Sequence, residues 1–192
     1  MPVFHGVVLA EKGEVQPCSG DCAKRLDGFD SSGVKGGNHM IWRIDKGMIR
    51  HRLKDESGKT CAVVRRFRGE VVMEDERGSR VGSVSQDGSM SLRIDEWGVS
   101  SRVQIELEGN VPPIYPTVVR NAVFTQGNNR YALQRANDGR YSLCADGVPC
   151  GWIDRICVRH PRVALDRGNS ALAALIYALA LRLDRFDSVD IV

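Results

Sequence analysis

From Ile49 to Lys54 the chain reads IRHRLK, with Ile49, His51 and Leu53 at alternate positions and Arg50, Arg52 and Lys54 between them. A period of two is that of a β-strand with one face toward a core and the other toward water. The runs SLRI and RVQIEL alternate in the same way, placing Val103, Ile105 and Leu107 on one face. Turn signals separate such runs about every ten residues between Asp55 and Asn110, the cadence of an antiparallel meander. Three of these turns are copies of one another: DESG at Asp55–Gly58, DERG at Asp75–Gly78 and DEWG at Asp95–Gly98. Glycine in the fourth place suits a type I turn closing on a left-handed residue, and the leading Asp can accept a hydrogen bond from the backbone two residues on. A calcium loop would need roughly six or more converging oxygens. Adjacent Asp and Glu side chains on a hairpin tip diverge, so the repeat predicts hairpins rather than an ion site.

Beyond the Pro-rich crossing NVPPIYPTV, strands are predicted over Ala122–Thr125, Tyr131–Ala136, Tyr141–Cys144 and Gly151–Val158, with Asn137-Asp138-Gly139 a strong hairpin signal. Val3–Ala10, Val15–Pro17 and Met40–Ile44 bring the set to ten or eleven strands, and the Gly-, Ser- and Lys-rich stretch 12–38 reads as a long loop. The C-terminal part breaks the β pattern. Asn169 or Ser170 can cap a helix running to about Phe186, and every side chain from Ala171 to Leu181 is apolar. A helix with no polar face must be enclosed. The apolar run falls short of the ~18 residues a membrane span requires, so protein has to enclose it. A sheet closing around a helix needs about eleven or twelve strands. The fold expected is therefore mainly β, a single domain over residues 1–192: an antiparallel meander closed as a barrel around a central helix at 169–186.

Composition adds little, and charge distribution adds more. Hydrophobic residues make up 42% and charged residues 27% of the chain, ordinary for a globular protein, and the net charge is only +3. Between Arg43 and Arg68, however, nine Lys and Arg face three acids, a net +6, whereas between Glu70 and Glu108 four Arg face nine acids, a net −5. The N-terminal stretch lacks the basic and apolar regions of a signal peptide, which makes a cytoplasmic location the expectation. Six scattered cysteines in such a chain are expected to be reduced thiols. Cys18 and Cys22, with His39, are the nearest approach to metal-ligand spacing, but no second pair follows and no metal is expected. No G-x-S-x-G elbow, P-loop, dinucleotide fingerprint or H-E-x-x-H is present, so no catalytic residue is assigned and no cofactor is expected. His51 falls in the apolar phase of its strand and reads as a satisfied core histidine. Nucleic-acid binding would want exposed aromatics among the cations; Phe67 in RRFRG stands alone there, and Trp42 reads as inward.

The DESG, DERG and DEWG meander, followed by the closing SALAALIYALALRLDRFD, resembles the tubby C-terminal-like superfamily, which includes the phospholipid scramblases and the LURP-one-related proteins. The resemblance implies a twelve-stranded barrel around a hydrophobic helix and a non-enzymatic binding module. It further implies recognition of anionic membrane lipid through basic surface residues. On this chain those are the outward row Arg50, Arg52 and Lys54, with Lys46, Arg65, Arg66 and Arg68 nearby in sequence. The 12–38 loop has no counterpart in the family, and no scramblase-type acidic calcium segment is present, so calcium-activated scrambling is not implied. A protein-interaction or scaffold module is the alternative, and after it an enzyme with no recognisable motif.

Overall fold

A computed structural model describes residues 39–87, 91–96, 99–107, 119–136 and 138–184. Twelve strands follow one another: β1 (Met40–Lys46), β2 (Arg50–Lys54), β3 (Thr60–Phe67), β4 (Glu70–Asp75), β5 (Arg80–Gln86), β6 (Ser91–Glu96), β7 (Val99–Leu107), β8 (Val119–Gln126), β9 (Asn129–Arg135), β10 (Tyr141–Ala145), β11 (Val148–Ile153) and β12 (Arg162–Leu165). Each pairs antiparallel with the next, and β12 returns to β1 with Met40 opposite Leu165 and Arg43 opposite Arg162, closing the barrel. The helix α1 (Ser170–Leu183) follows. The mainly β barrel around a C-terminal helix is thus the architecture of the chain.

The acidic repeat forms the turns expected of it. The amide of Gly58 donates to the carbonyl of Asp55 at 3.0 Å and that of Gly78 to Asp75 at 3.1 Å, with both glycines at φ near +80° (83 and 81). The Asp side chains close the turns: Asp55 Oδ1 accepts from the Lys59 amide at 2.9 Å, and Asp75 Oδ1 from the amides of Arg77 and Ser79. The register slips at Leu53/Lys54 and Met73/Glu74, the bulge such a turn leaves behind. The third copy departs from this pattern. Glu96 pairs with Val99, so only Trp97 and Gly98 connect the strands, and these two lie outside the described residues.

Most inward positions of the strands are apolar and buried, among them Ile44, Leu53, Val64, Met73, Phe124, Leu143 and Val163. They face α1, in which every residue from Ala173 to Leu181 is buried, on all sides of the helix. Ala173, Ala174, Ala178 and Ala180 keep the helix narrow, and it packs against β3, β4, β5 and β12. Asn169 caps it, its Oδ1 accepting from the Leu172 amide at 2.9 Å.

Four particulars differ from expectation or fall elsewhere. Strand β12 was not among the expected strands, yet it closes the barrel. The strand expected over Gly151–Val158 ends at Ile153, where the Asp154 amide donates to the Arg162 carbonyl at 3.0 Å, the Arg162 amide donates to the Asp154 carboxylate at 3.1 Å, and the chain turns back. Ile49, expected on the core face, precedes β2 and is exposed. The strands expected at Val3–Ala10 and Val15–Pro17, the 12–38 loop with Cys18 and Cys22, and the helix end beyond Asp184 lie outside the described residues. Closure across β11 and β12 also depends on Gly151, where a Cβ would stand 2.5 Å from the Ala164 carbonyl oxygen and 2.7 Å from a Leu165 methyl.

Two substitutions test the enclosure. Leu179→Asp places a charge with no partner in the barrel interior and is expected to abolish the folded state, read as loss of near-UV circular dichroism and of a monodisperse elution peak. Gly151→Val is expected to lower stability by about 1–3 kcal/mol, the usual range for overpacking, measured by urea unfolding.

Candidate anion-binding surface

The alternation along β2 divides its side chains as the sequence indicated. Arg50 and Arg52 are exposed and Lys54 is partly covered, while Leu53 is buried and His51 half-buried. Outward neighbours then decide which cations remain uncommitted. Asp45 on β1 stands opposite Arg52 in the register, and its Oδ2 lies 2.6 Å from the Lys54 ammonium. Arg43 at 4.0 Å and His160 at 3.4 Å also approach Asp45. The hydrogen bond from Lys54, then the charges of Lys54, Arg43 and His160, hold the Asp45 carboxyl below its ordinary range. These residues, with Asp55, Glu56 and Gly58, line an open groove of mixed sign. On the other side of β2, Arg65 stands opposite Arg50 but is ion-paired with Glu74 on β4. Arg68, at the β3–β4 tip, sits over the Phe67 ring at 5.1 Å, as does Arg65 from its own strand. Among the described residues, Arg50, Arg52 and Arg68 have no carboxylate partner.

Lys46 and Arg66 belong elsewhere. Lys46 shares the inward phase of β1 with Trp42 and Ile44, and Arg66 that of β3 with Ala62 and Val64. Both stand at the end of the barrel where α1 terminates. There the Lys46 ammonium donates to the carbonyl of Ile156, and burial lowers its pKa against the opposing pull of Cys157 and Asp184. Nearby, Arg182 in the last turn of α1 donates to Gln86, and Arg135 lies 4.0 Å from Asp184. The last carbonyls of a helix carry partial negative charge, which cations at this end offset. The seven basic residues grouped by the sequence are therefore two sets: Arg50, Arg52, Lys54, Arg65 and Arg68 outside or at the tip, Lys46 and Arg66 inside the barrel end.

The interior set also explains His51. Its Nδ1 lies 2.8 Å from the Tyr177 hydroxyl of α1. Burial, followed by the charges of Arg66 and Lys46, pushes its pKa down to about 4. Tyr177, Arg135 and Arg182 were not picked out from the sequence. A lysine, a histidine and an arginine in the inward phase at the ends of neighbouring strands were the available signal. Elsewhere, burial followed by the Asp166 charge raises the Cys150 thiol to about 11, and burial raises that of Cys61, so both are protonated at neutral pH.

No known family model matches the chain, and no curated protein matches it in sequence. An X-ray structure of a protein from Arabidopsis thaliana is similar in fold, with a TM-score of 0.50 and 11% sequence identity over 77% of this chain and 92% of that one. At that identity the likeness concerns the fold alone. Among the described residues no helix is long and apolar enough to cross a membrane.

The state of His51 makes a pH prediction. Unfolded, its imidazole takes up a proton below about 6.5; folded, it stays neutral until about 4. Stability present above pH 6.5 is thus lost as the pH falls toward 4. Carboxylates held below their ordinary range, such as Asp45 and Glu76, lose theirs around and below their ordinary values of 3.8 and 4.5. Thermal melts between pH 7 and 4.5, values bracketing that window, are expected to show a falling Tm, with a shallower slope in His51→Gln.

Proposed function

We propose that this protein is a non-enzymatic binding module that recognises anionic lipid headgroups at a membrane surface as a peripheral, cytoplasmic protein. The observation that carries the reading is the uncommitted charge on the outer face of β2. Arg50 and Arg52 project outward two positions apart, ~7 Å along the strand, and neither meets a carboxylate among the described residues. Guanidinium groups at that spacing can each take a phosphate through paired N–H donors. Lys54 and Arg65, engaged by Asp45 and Glu74, act as flanking positive potential rather than as direct ligands. Arg68 extends the uncommitted charge to the β3–β4 tip. The sequence resemblance to the tubby C-terminal-like superfamily, through the acidic hairpin repeat and the enclosed C-terminal helix, supports the same reading.

Cosedimentation with neutral and anionic vesicles across a salt series tests it. Binding is expected only with anionic vesicles and is expected to weaken steeply with salt. Arg50→Glu/Arg52→Glu should reduce it at least tenfold while leaving Tm within a degree or two, since both side chains are exposed surface positions. Equal binding by wild type and double variant would overturn the assignment of the face, and binding that ignores salt would favour an apolar protein interface.

A further inference from the structure

The large apolar side chains left exposed among the described residues are not scattered. Six stand out: Met40, Met48, Ile49, Phe67, Val148 and Val158. Met48, Ile49, Phe67 and Val158 all lie at the end of the barrel where α1 terminates, because β1, β3 and β11 end there and β2, β4 and β12 begin there. Met48 is 99% exposed, Ile49 61% and Phe67 44%. The β1–β2 turn that carries the first two is tight: the Gly47 amide donates to the Arg50 carbonyl at 2.8 Å, and a Cβ on Gly47 would lie 2.7 Å from that oxygen. Met48 and Ile49 thus stand in a tight turn, both exposed among the described residues. A single exposed apolar residue is ordinary. Here three lie on two neighbouring hairpin tips, since β2 and β3 are paired with Arg50 opposite Arg65.

Cations ring these tips. Arg50 follows Ile49 directly, and Arg65 and Arg68 flank the Phe67 ring at 5.1 Å each. Arg68 occupies a left-handed turn position (φ 47) that ordinarily favours Asn, Asp or Gly. At the β1–β2 tip the apolar side chains stand beyond Arg50, and at the β3–β4 tip Phe67 lies between Arg65 and Arg68, a mixture of apolar and cationic groups suited to an anionic bilayer, whose acyl boundary lies beneath its phosphates.

We propose that the barrel docks end-on to an anionic bilayer, with Met48, Ile49 and Phe67 entering the boundary between headgroups and acyl chains and Arg50 and Arg68 at the level of the phosphates. The proposal rests on the lipid reading above and adds its orientation and depth. Docking by the flank of β2 alone would leave the tips in water.

The test uses the full chain with phosphatidylserine–phosphatidylcholine vesicles and, as control, phosphatidylcholine alone. Met48→Trp is expected to add an emission component that shifts to the blue on anionic vesicles and is quenched by lipids brominated on their acyl chains. Met48→Asp/Ile49→Asp should weaken vesicle binding about tenfold or more, the loss expected from two apolar side chains. Its unchanged Tm would exclude misfolding as the cause. If wild type binds with steep salt dependence while the Asp double variant binds equally well and the introduced Trp is neither shifted nor quenched, end-on insertion is overturned and docking by the β2 flank remains. Failure of wild type to bind anionic vesicles overturns both readings.

Discussion

The structure depends on one constraint, that α1 has no side fit for water. Its residues from Ala173 to Leu181 are buried without interruption, and a helix of this kind holds only within walls. A flat sheet would cover one side of it, and two would still leave seams. A closed antiparallel barrel covers all of it and leaves no sheet edge to pair with other chains. The alanines of α1 follow from the same constraint, because a narrow helix lets the inward Leu, Ile and Val of the strands reach it. So does Gly151, which lets β11 and β12 approach closely enough for β12 to complete the ring.

Enclosure also gives the barrel two unlike ends. The chain enters the interior after β12 and α1 runs through it to Asp184, so the far end holds the last helical carbonyls. Lys46, Arg66, Arg135 and Arg182 gather there, with His51 kept neutral against Tyr177. The hairpin tips around the same end carry the exposed Met48, Ile49 and Phe67 with Arg50, Arg65 and Arg68. Inner and outer cations thus gather at one pole of the molecule, several of them with a carboxylate beside them. Acidic side chains pair off locally, as Asp45 does with Lys54 and Glu74 with Arg65.

Much of this was legible in the residues, though not all for the same reason. The hairpin repeat was readable because Asp and Gly each answer to local geometry, and two of its three copies form the same turn. His51 was readable as inward-facing from its phase alone. Lys46 and Arg66 were misgrouped with the outer row because proximity along the chain says nothing about which face a strand end presents. Register settles it: Lys46 pairs with His51 and Arg66 with Val71, each in the inward phase.

The sequence by itself determined the class of architecture. Period-two runs, turns at short intervals and one helix without a polar face leave few arrangements other than a barrel around that helix, and each of those signals is local. Tertiary structure alone decided the closure and the site. RVAL at Arg162–Leu165 is too short to show a period, and it becomes a strand only through β1 and β11, more than a hundred residues away in the case of Met40 and Leu165. Which arginines stay free was likewise decided by cross-strand neighbours, because an ion pair depends on distance in space, and closing the sheet is what sets those distances.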